Sequence, residues 1–216
     1  MKKTVVIVGG GFAGLELIKG IGNSSKYNTI LVDANNYNFF PPLIYQVSTG
    51  FMEPSAISYP FRKILRNFKN VRFRLGSLME VVPGENKILL SNGELHYDIL
   101  VMATGTESSF FGNKNIEKYS LPMKTISDAL TLRNTILTRL DRATRHEDPE
   151  ERKKLLTFVI AGAGPTGVEL SGILAEMKPS ILKKDYPELN ESDLGKIYLI
   201  DGQNTVLSTM SKNSQK

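Results

Sequence analysis

Two short apolar runs in this chain each break into three spaced glycines and then into a helix-like pattern. The first is Thr4-Val5-Val6-Ile7-Val8-Gly9-Gly10-Gly11-Phe12-Ala13-Gly14-Leu15-Glu16. The second is Thr157-Phe158-Val159-Ile160-Ala161-Gly162-Ala163-Gly164-Pro165-Thr166-Gly167-Val168-Glu169-Leu170. A buried strand that turns at once into a helix leaves few folds open. The first glycine of each trio permits the turn, the second lets a phosphate approach the backbone, and the third lets the helix lie close on the strand. The helix start then offers free N–H groups and a partial positive charge to an anion.

An acid follows each trio. Asp33 ends the run Thr29-Ile30-Leu31-Val32, placed to accept hydrogen bonds from an adenosine ribose. Asp201 ends Lys196-Ile197-Tyr198-Leu199-Ile200. It lies beyond the roughly 20 residues of the simple fingerprint, and the stretch from Pro179 to Glu191 reads as an insertion that accounts for the excess. Asp201-Gly202 reads equally as a bare turn. Two dinucleotide fingerprints in one chain imply two dinucleotides, of which one is usually a flavin.

Several chemistries are excluded. The chain has no cysteine, which removes disulfides, thiolate metal sites and thiol catalysis. Its two histidines, His96 and His146, stand in polar stretches and read as surface residues, so no metal site is expected. A net charge of +5 is modest for 216 residues. Without a nucleic-acid motif it reads as solvated basic faces, and no nucleic-acid partner is expected. No run approaches the roughly 18 apolar residues of a membrane span, and the immediate entry into a strand leaves no room for a leader.

Taken in order, Lys2 to Val8 reads as a buried parallel strand and Gly11 to Ile21 as a helix with Leu15, Leu17, Ile18 and Ile21 inward. The stretch from Asn35 to Gly50, with Pro41 and Pro42, suits neither a helix start nor a strand. It reads either as an ordered loop lying on a cofactor or as a Pro-rich crossover. Pro60 to Phe68 reads as a short amphipathic helix. Val71 to Val82 and Lys87 to Leu90 read as strands of an antiparallel side-piece. Tyr97 to Thr106 reads as a buried strand ending in Ala103, Thr104 and Gly105, small enough for a diphosphate to approach, or simply a tight turn. Leu121-Pro122 marks passage to a second domain, giving 1–120 and 121–216. There, Ile126 to Ala143 reads as a helix, Arg145 to Lys154 as a charged connection, Leu155 to Ala161 as a strand and Gly167 to Met177 as a helix. Met210 to Lys216 reads as a helix start, so the second unit is expected to be truncated. The expected class is α/β, with two Rossmann-like FAD/NAD(P)-binding units and an antiparallel β side-piece.

With Pro42-Leu43-Ile44-Tyr45-Gln46-Val47-Ser48-Thr49-Gly50, Pro60-Phe61-Arg62 and the second glycine run in view, the whole chain resembles the type II NADH:quinone oxidoreductases. These are respiratory flavoproteins that do not pump protons. The resemblance implies FAD on the first unit. Gly9, Gly10, Gly11, Phe12, Ala13 and Gly14 would cradle its pyrophosphate, with Asp33 on its ribose and Leu78 beside its adenine. Ala103, Thr104 and Gly105 would close over the diphosphate, and Leu43 and Gln46 would lie along the flavin. It implies NADH on Gly162, Gly164, Pro165, Thr166 and Gly167, with Asp201 on the ribose. An acid there suits a free 2′-hydroxyl and repels a 2′-phosphate. Glu169 matches a glutamate near the flavin–nicotinamide junction, the expected catalytic position. Like Glu16, it also reads as an acid in a first helical turn, where the macrodipole favours a carboxylate.

The reaction implied is hydride transfer from NADH to flavin and electron transfer to a membrane quinone. The whole protein would be cytoplasmic, peripheral on the cytoplasmic membrane face through a C-terminal part absent here, and possibly a homodimer. Without cysteine, disulfide-reductase chemistry is unavailable. A ferredoxin-type reductase, a flavin monooxygenase or a non-catalytic FAD/NADH-binding redox sensor stands as the alternative.

Overall fold

The computed structural model describes residues 1–215, and their side chains apart from those of 178–183. The chain opens with β1 (Lys3–Val8), α1 (Phe12–Ile21) and β2 (Tyr27–Asp33). β3 (Tyr37–Phe39), a 3-10 turn (Pro41–Leu43), α2 (Ile44–Ser48), α3 (Pro54–Ile57), β4 (Ser58–Pro60) and α4 (Phe61–Leu65) follow. Next come β5 (Val71–Leu75), β6 (Leu78–Val82), β7 (Lys87–Leu90), β8 (Gly93–His96) and β9 (Ile99–Met102). The remainder is α5 (Lys114–Tyr119), α6 (Ile126–Thr144), α7 (Pro149–Leu155), β10 (Phe158–Ala161), α8 (Pro165–Asp185) and β11 (Ile197–Ile200). Two compact units result. One comprises Met1–Phe40 and Ile57–Glu107, the other Pro41–Ala56 and Ser108–Lys216.

The first unit is built on a parallel sheet in the order β5-β2-β1-β9. β1 is central, with Val8 opposite Val32 on one side and Met102 on the other. A central parallel strand is apolar on both faces because both are covered. Val5 and Ile7 pack with Ile18 of α1 and Phe61 and Leu65 of α4. Val6 and Val8 pack the other way, with Val32 and with Ile88 and Leu90 of β7. The antiparallel sheet β6-β7-β8 therefore covers the face opposite the helices.

The run Val71 to Val82 is divided, which a reading of it as one ribbon does not anticipate. Val71–Leu75 is a parallel edge strand, with Thr29 opposite Val71, and only β6 turns antiparallel. The break is pinned where Gly76 N donates to Asp33 O at 2.9 Å and Asn92 Nδ2 donates to Leu75 O at 2.9 Å.

In the second unit β10 and β11 pair in parallel, Phe158 opposite Ile197 through Ala161 opposite Ile200. Its core joins Ile136, Leu140 and Ala143 of α6 with Leu156, Ile160, and Leu170, Leu174 and Met177 of α8. Val159, Tyr198 and Ile200, on these two strands, are exposed. The stretch from Asn35 to Gly50 is not loop throughout. It contains α2, which packs on α6 with Ile44 and Val47 buried, and its end is tied by Ser48 and Thr49 hydroxyls donating to Tyr45 O at 2.8 and 2.9 Å. The charged connection is also helical over Pro149–Leu155. Asp148 accepts from Glu150 N at 2.9 Å, Pro149 begins the helix, acids fill its first turn and bases its last, each where the helix dipole favours it. α8 runs on to Asp185 and so takes in the first part of the stretch read as an insertion. Residues 202–215 form turns rather than the start of a helix: Gln215 Nε2 donates to Leu207 O and Met210 O at 3.1 Å, diverting carbonyls a helix would use. Lys216 lies outside the described residues.

Asp193 ties the 3-10 turn before β11 to α7. Its Oδ2 accepts from Asn190 N at 2.8 Å and from Arg152 Nη1 at 3.0 Å. The Asn190 backbone N–H, aided by the Arg152 guanidinium, holds this carboxyl below its ordinary value. The stabilisation is thus present above the unfolded-state pKa of about 4 and is lost as pH falls through the lower folded value. Asp193→Asn is expected to lower unfolding free energy at pH 7 by about 1–2 kcal/mol, because the neutral amide no longer offsets the Arg152 charge. Urea titrations from pH 7 to pH 3 should also show a weaker acid dependence in the variant.

Candidate functional site

The two glycine turns have the same geometry. Gly9 and Gly162 take φ of 107° and 109°, a left-handed conformation that favours glycine. Each N–H is bound by the next strand, Gly9 N to Val32 O at 2.8 Å and Gly162 N to Ile200 O at 2.7 Å. A β-carbon on Gly14 would overlap Gly9 O, and one on Gly167 would overlap Gly162 O. These glycines are therefore fixed by the close approach of helix to turn. Around Gly11 and Gly164 a β-carbon would meet nothing. The middle glycine of each trio faces open space at a helix start, as a phosphate cradle requires.

The acids close both turns. Asp33 Oδ2 accepts from Gly10 N at 2.7 Å, and Oδ1 accepts from Asn35 N at 2.8 Å. Asp201 repeats this, with Oδ2 accepting from Ala163 N at 2.6 Å and Oδ1 from Gln203 N at 2.7 Å. The Ala163 N–H, then that of Gln203, hold the Asp201 carboxyl below its ordinary range. Asp201 thus does more than mark a turn with Gly202: it binds the glycine loop of its own unit.

The first unit gathers further residues named from sequence. Ala103 N donates to Val8 O at 2.8 Å, and Ala103 O lies where a β-carbon on Gly9 would stand. The turn after β9 is thus against the glycine turn. Thr104 and Gly105 are exposed, Gly105 with φ of 72°. Leu78 begins β6, paired with Leu90 and packed on the Val6–Val8–Val32 cluster. Phe12, 61% exposed, meets Phe40 edge to face at 5.7 Å between ring centres. Ala13 is exposed on the first turn of α1. In the second unit Pro165, Thr166 and Glu169 are exposed in the first turns of α8. Leu43 and Gln46 lie half-buried at α2, where Gln46 O accepts from Met52 N at 3.1 Å. Sequence reasoning missed two donors to the glycine loops, Asn38 to Gly10 O and Leu207 N to Ala163 O, both at 2.8 Å.

A strand–turn–helix with its acid locked on the glycine loop, present twice, defines a protein with two Rossmann-like units. The chain matches the Pyridine nucleotide-disulphide oxidoreductase family over residues 3–216 and belongs to it. Within that class it is a homologue of the type II NADH:quinone oxidoreductases, as its motifs suggest. It is 37% identical over 210 residues to the type II NADH:quinone oxidoreductase Ndh of Mycobacterium tuberculosis, spanning 95% of this chain and 45% of that one. It is 31% identical over 223 residues to the mitochondrial external alternative NADH-ubiquinone oxidoreductase of Yarrowia lipolytica, spanning 98% of this chain and 38% of that one. Among solved structures, NDH2 from Plasmodium falciparum in complex with NADH superposes with a TM-score of 0.88 at 27% identity, over 100% of this chain and 45% of that one. The chain thus spans less than half the length of these relatives.

The glycines separate by function in a stability assay. Gly14→Ala and Gly167→Ala should each destabilise by about 1–3 kcal/mol, because the new methyl meets backbone that cannot swing away. Gly11→Ala should cost less, about 0.5–1 kcal/mol, the difference between glycine and alanine at an N-cap, since its methyl enters open space. Thermal unfolding by circular dichroism of the three ligand-free variants reads the contrast.

Proposed function

We propose that this chain is the nucleotide-binding portion of an FAD-dependent NADH:quinone oxidoreductase, with FAD on the first unit and NADH on the second. The observation that carries the reading is the carboxylate lock made twice, Asp33 on Gly10 and Asp201 on Ala163. Each lock leaves carboxylate lone pairs free for ribose hydroxyls while it holds the loop that would receive the phosphates.

In this reading Gly9 to Gly14 hold the FAD pyrophosphate and Asp33 its ribose. Leu78 borders the adenine, and Ala103 to Gly105 close over the diphosphate. Gly162 to Gly167 hold the NADH pyrophosphate. Asp201, kept ionised by backbone N–H groups, binds the free ribose 2′-hydroxyl and repels a 2′-phosphate. Glu169, exposed in the first turns of α8, would be the catalytic position that the family resemblance implies. When bound, FAD supplies the redox chemistry, with hydride in from NADH and two electrons out to a quinone. The chain's own part is position and charge, so no nucleophile is needed. A quinone is a membrane solute, so the whole protein would work at the cytoplasmic membrane surface. No described helix is long and apolar enough to cross a membrane.

The test is anaerobic. The chain is loaded with FAD, freed of excess and titrated with NADH while flavin absorbance is followed. Bleaching at substoichiometric NADH, with NADPH at least about tenfold less effective, is the expected result, and Asp201→Asn should narrow that gap. Retained flavin that ignores NADH would contradict the reading.

A further inference from the structure

The peptide between Gly10 and Gly11 is held by a residue outside the dinucleotide fingerprint. Asn38 Nδ2, on β3, donates to Gly10 O at 2.8 Å. The N–H of Gly10 is already taken by Asp33 at 2.7 Å. The Phe61 ring fills the place where a β-carbon on Gly10 would stand, and it is 1% exposed and stacked on Phe73 at 5.1 Å. Gly10 is therefore fixed at its N–H, its carbonyl and its α-carbon. A trans peptide is planar, so fixing Gly10 O also fixes the direction of the Gly11 N–H, which leaves from the opposite side. Gly11 is the N-cap of α1 and stands in open space, so its N–H is among the first donors an arriving phosphate meets.

The second unit reaches the same result with different atoms. Ala163 O accepts from the backbone N–H of Leu207 at 2.8 Å, and Leu207 adopts a left-handed φ of 51°. Ala163 occupies the position of Gly10 in the repeated motif. A side-chain amide in one unit and a main-chain amide in the other place a donor on the same carbonyl. That recurrence points to a requirement at the carbonyl rather than to an accident of packing.

We propose that Asn38 is a positioning residue of the first unit: by holding Gly10 O it aims the Gly11 N–H at the dinucleotide diphosphate and so sets the affinity for it. The inference rests on the reading of the first unit as the FAD site.

The test measures FAD affinity of the chain by flavin fluorescence, NADH affinity, and the ¹⁵N shift of the ligand-free Gly11 amide. Asn38→Ala should weaken FAD about five- to tenfold, the worth of one net hydrogen bond. Asn38→Asp should weaken it further, because an ionised carboxylate has no donor and opposes the Gly10 carbonyl. Asn38→Gln keeps the amide donor and should recover part of the loss. NADH affinity should not change, and the Gly11 shift should move in the Ala and Asp variants. FAD affinity within twofold of the parent in both would overturn the inference. So would a loss shared equally by FAD, NADH and the thermal midpoint. If the unsubstituted chain takes no FAD, the flavin reading itself fails. The inference, which rests on that reading, then falls with it; an unmoved Gly11 amide in Asn38→Ala overturns the inference by itself, whether or not FAD binds.

Discussion

The hydrogen bond from a glycine-loop N–H to the acid at the end of the second strand is the contact on which the rest depends. A loop of glycines has more backbone freedom to lose than any other, and nothing in its own side chains can hold it. Asp33 supplies the missing restraint from the adjacent strand, with one oxygen on Gly10 N and the other on Asn35 N. A charged acceptor makes this stronger than a neutral contact. The same carboxylate thus fixes the loop ahead of α1 and the departure of the chain from β2. Asp201 does this in the second unit between the Gly162 turn and residue 203.

Such a lock works only if its strand does not move. In the first unit that rigidity comes from burial on both faces: Val6, Ile7, Leu31 and Val32 are fully buried. Helices α1 and α4 cover one side, and the antiparallel sheet covers the other. Substituting the core of β7, for example at Ile88, would act on the glycine turn indirectly, by loosening Val6 and Val8. The β6-β7-β8 side-piece is therefore part of what positions the site, although none of its residues but Leu78 has a proposed contact with a ligand.

Local constraints were legible in the sequence and non-local ones were not. The glycine turns could be read because positive φ at Gly9 and close approach at Gly14 leave no other residue, and the α/β class followed from them. Asp201 could be found across a long interval because it ends an apolar run, as Asp33 does. The parallel pairing of Val71–Leu75 could not, since its partner Thr29–Asp33 lies far back in the chain and a parallel edge strand reads like a hairpin arm. The helix at Pro149–Leu155 was obscured by its charge, although the Asp-Pro-Glu-Glu start and basic end signal a capped helix. The helix at Ile44–Ser48 was hidden by two prolines before it, and its buried face is defined by α6 and α8, far along the chain. Asn38 and Leu207 carry no local signal, because their role exists only once β3 and the 202–215 turns are folded against the glycine loops.

On the proposed reading, one chain carries two nucleotide cradles of the same design. ADP, the moiety common to FAD and NADH, tests it most directly. Equilibrium dialysis of the chain against labelled ADP should give two sites per chain, with Asp33→Ala and Asp201→Ala each removing one. A single site that survives either substitution, or none at all, would contradict it.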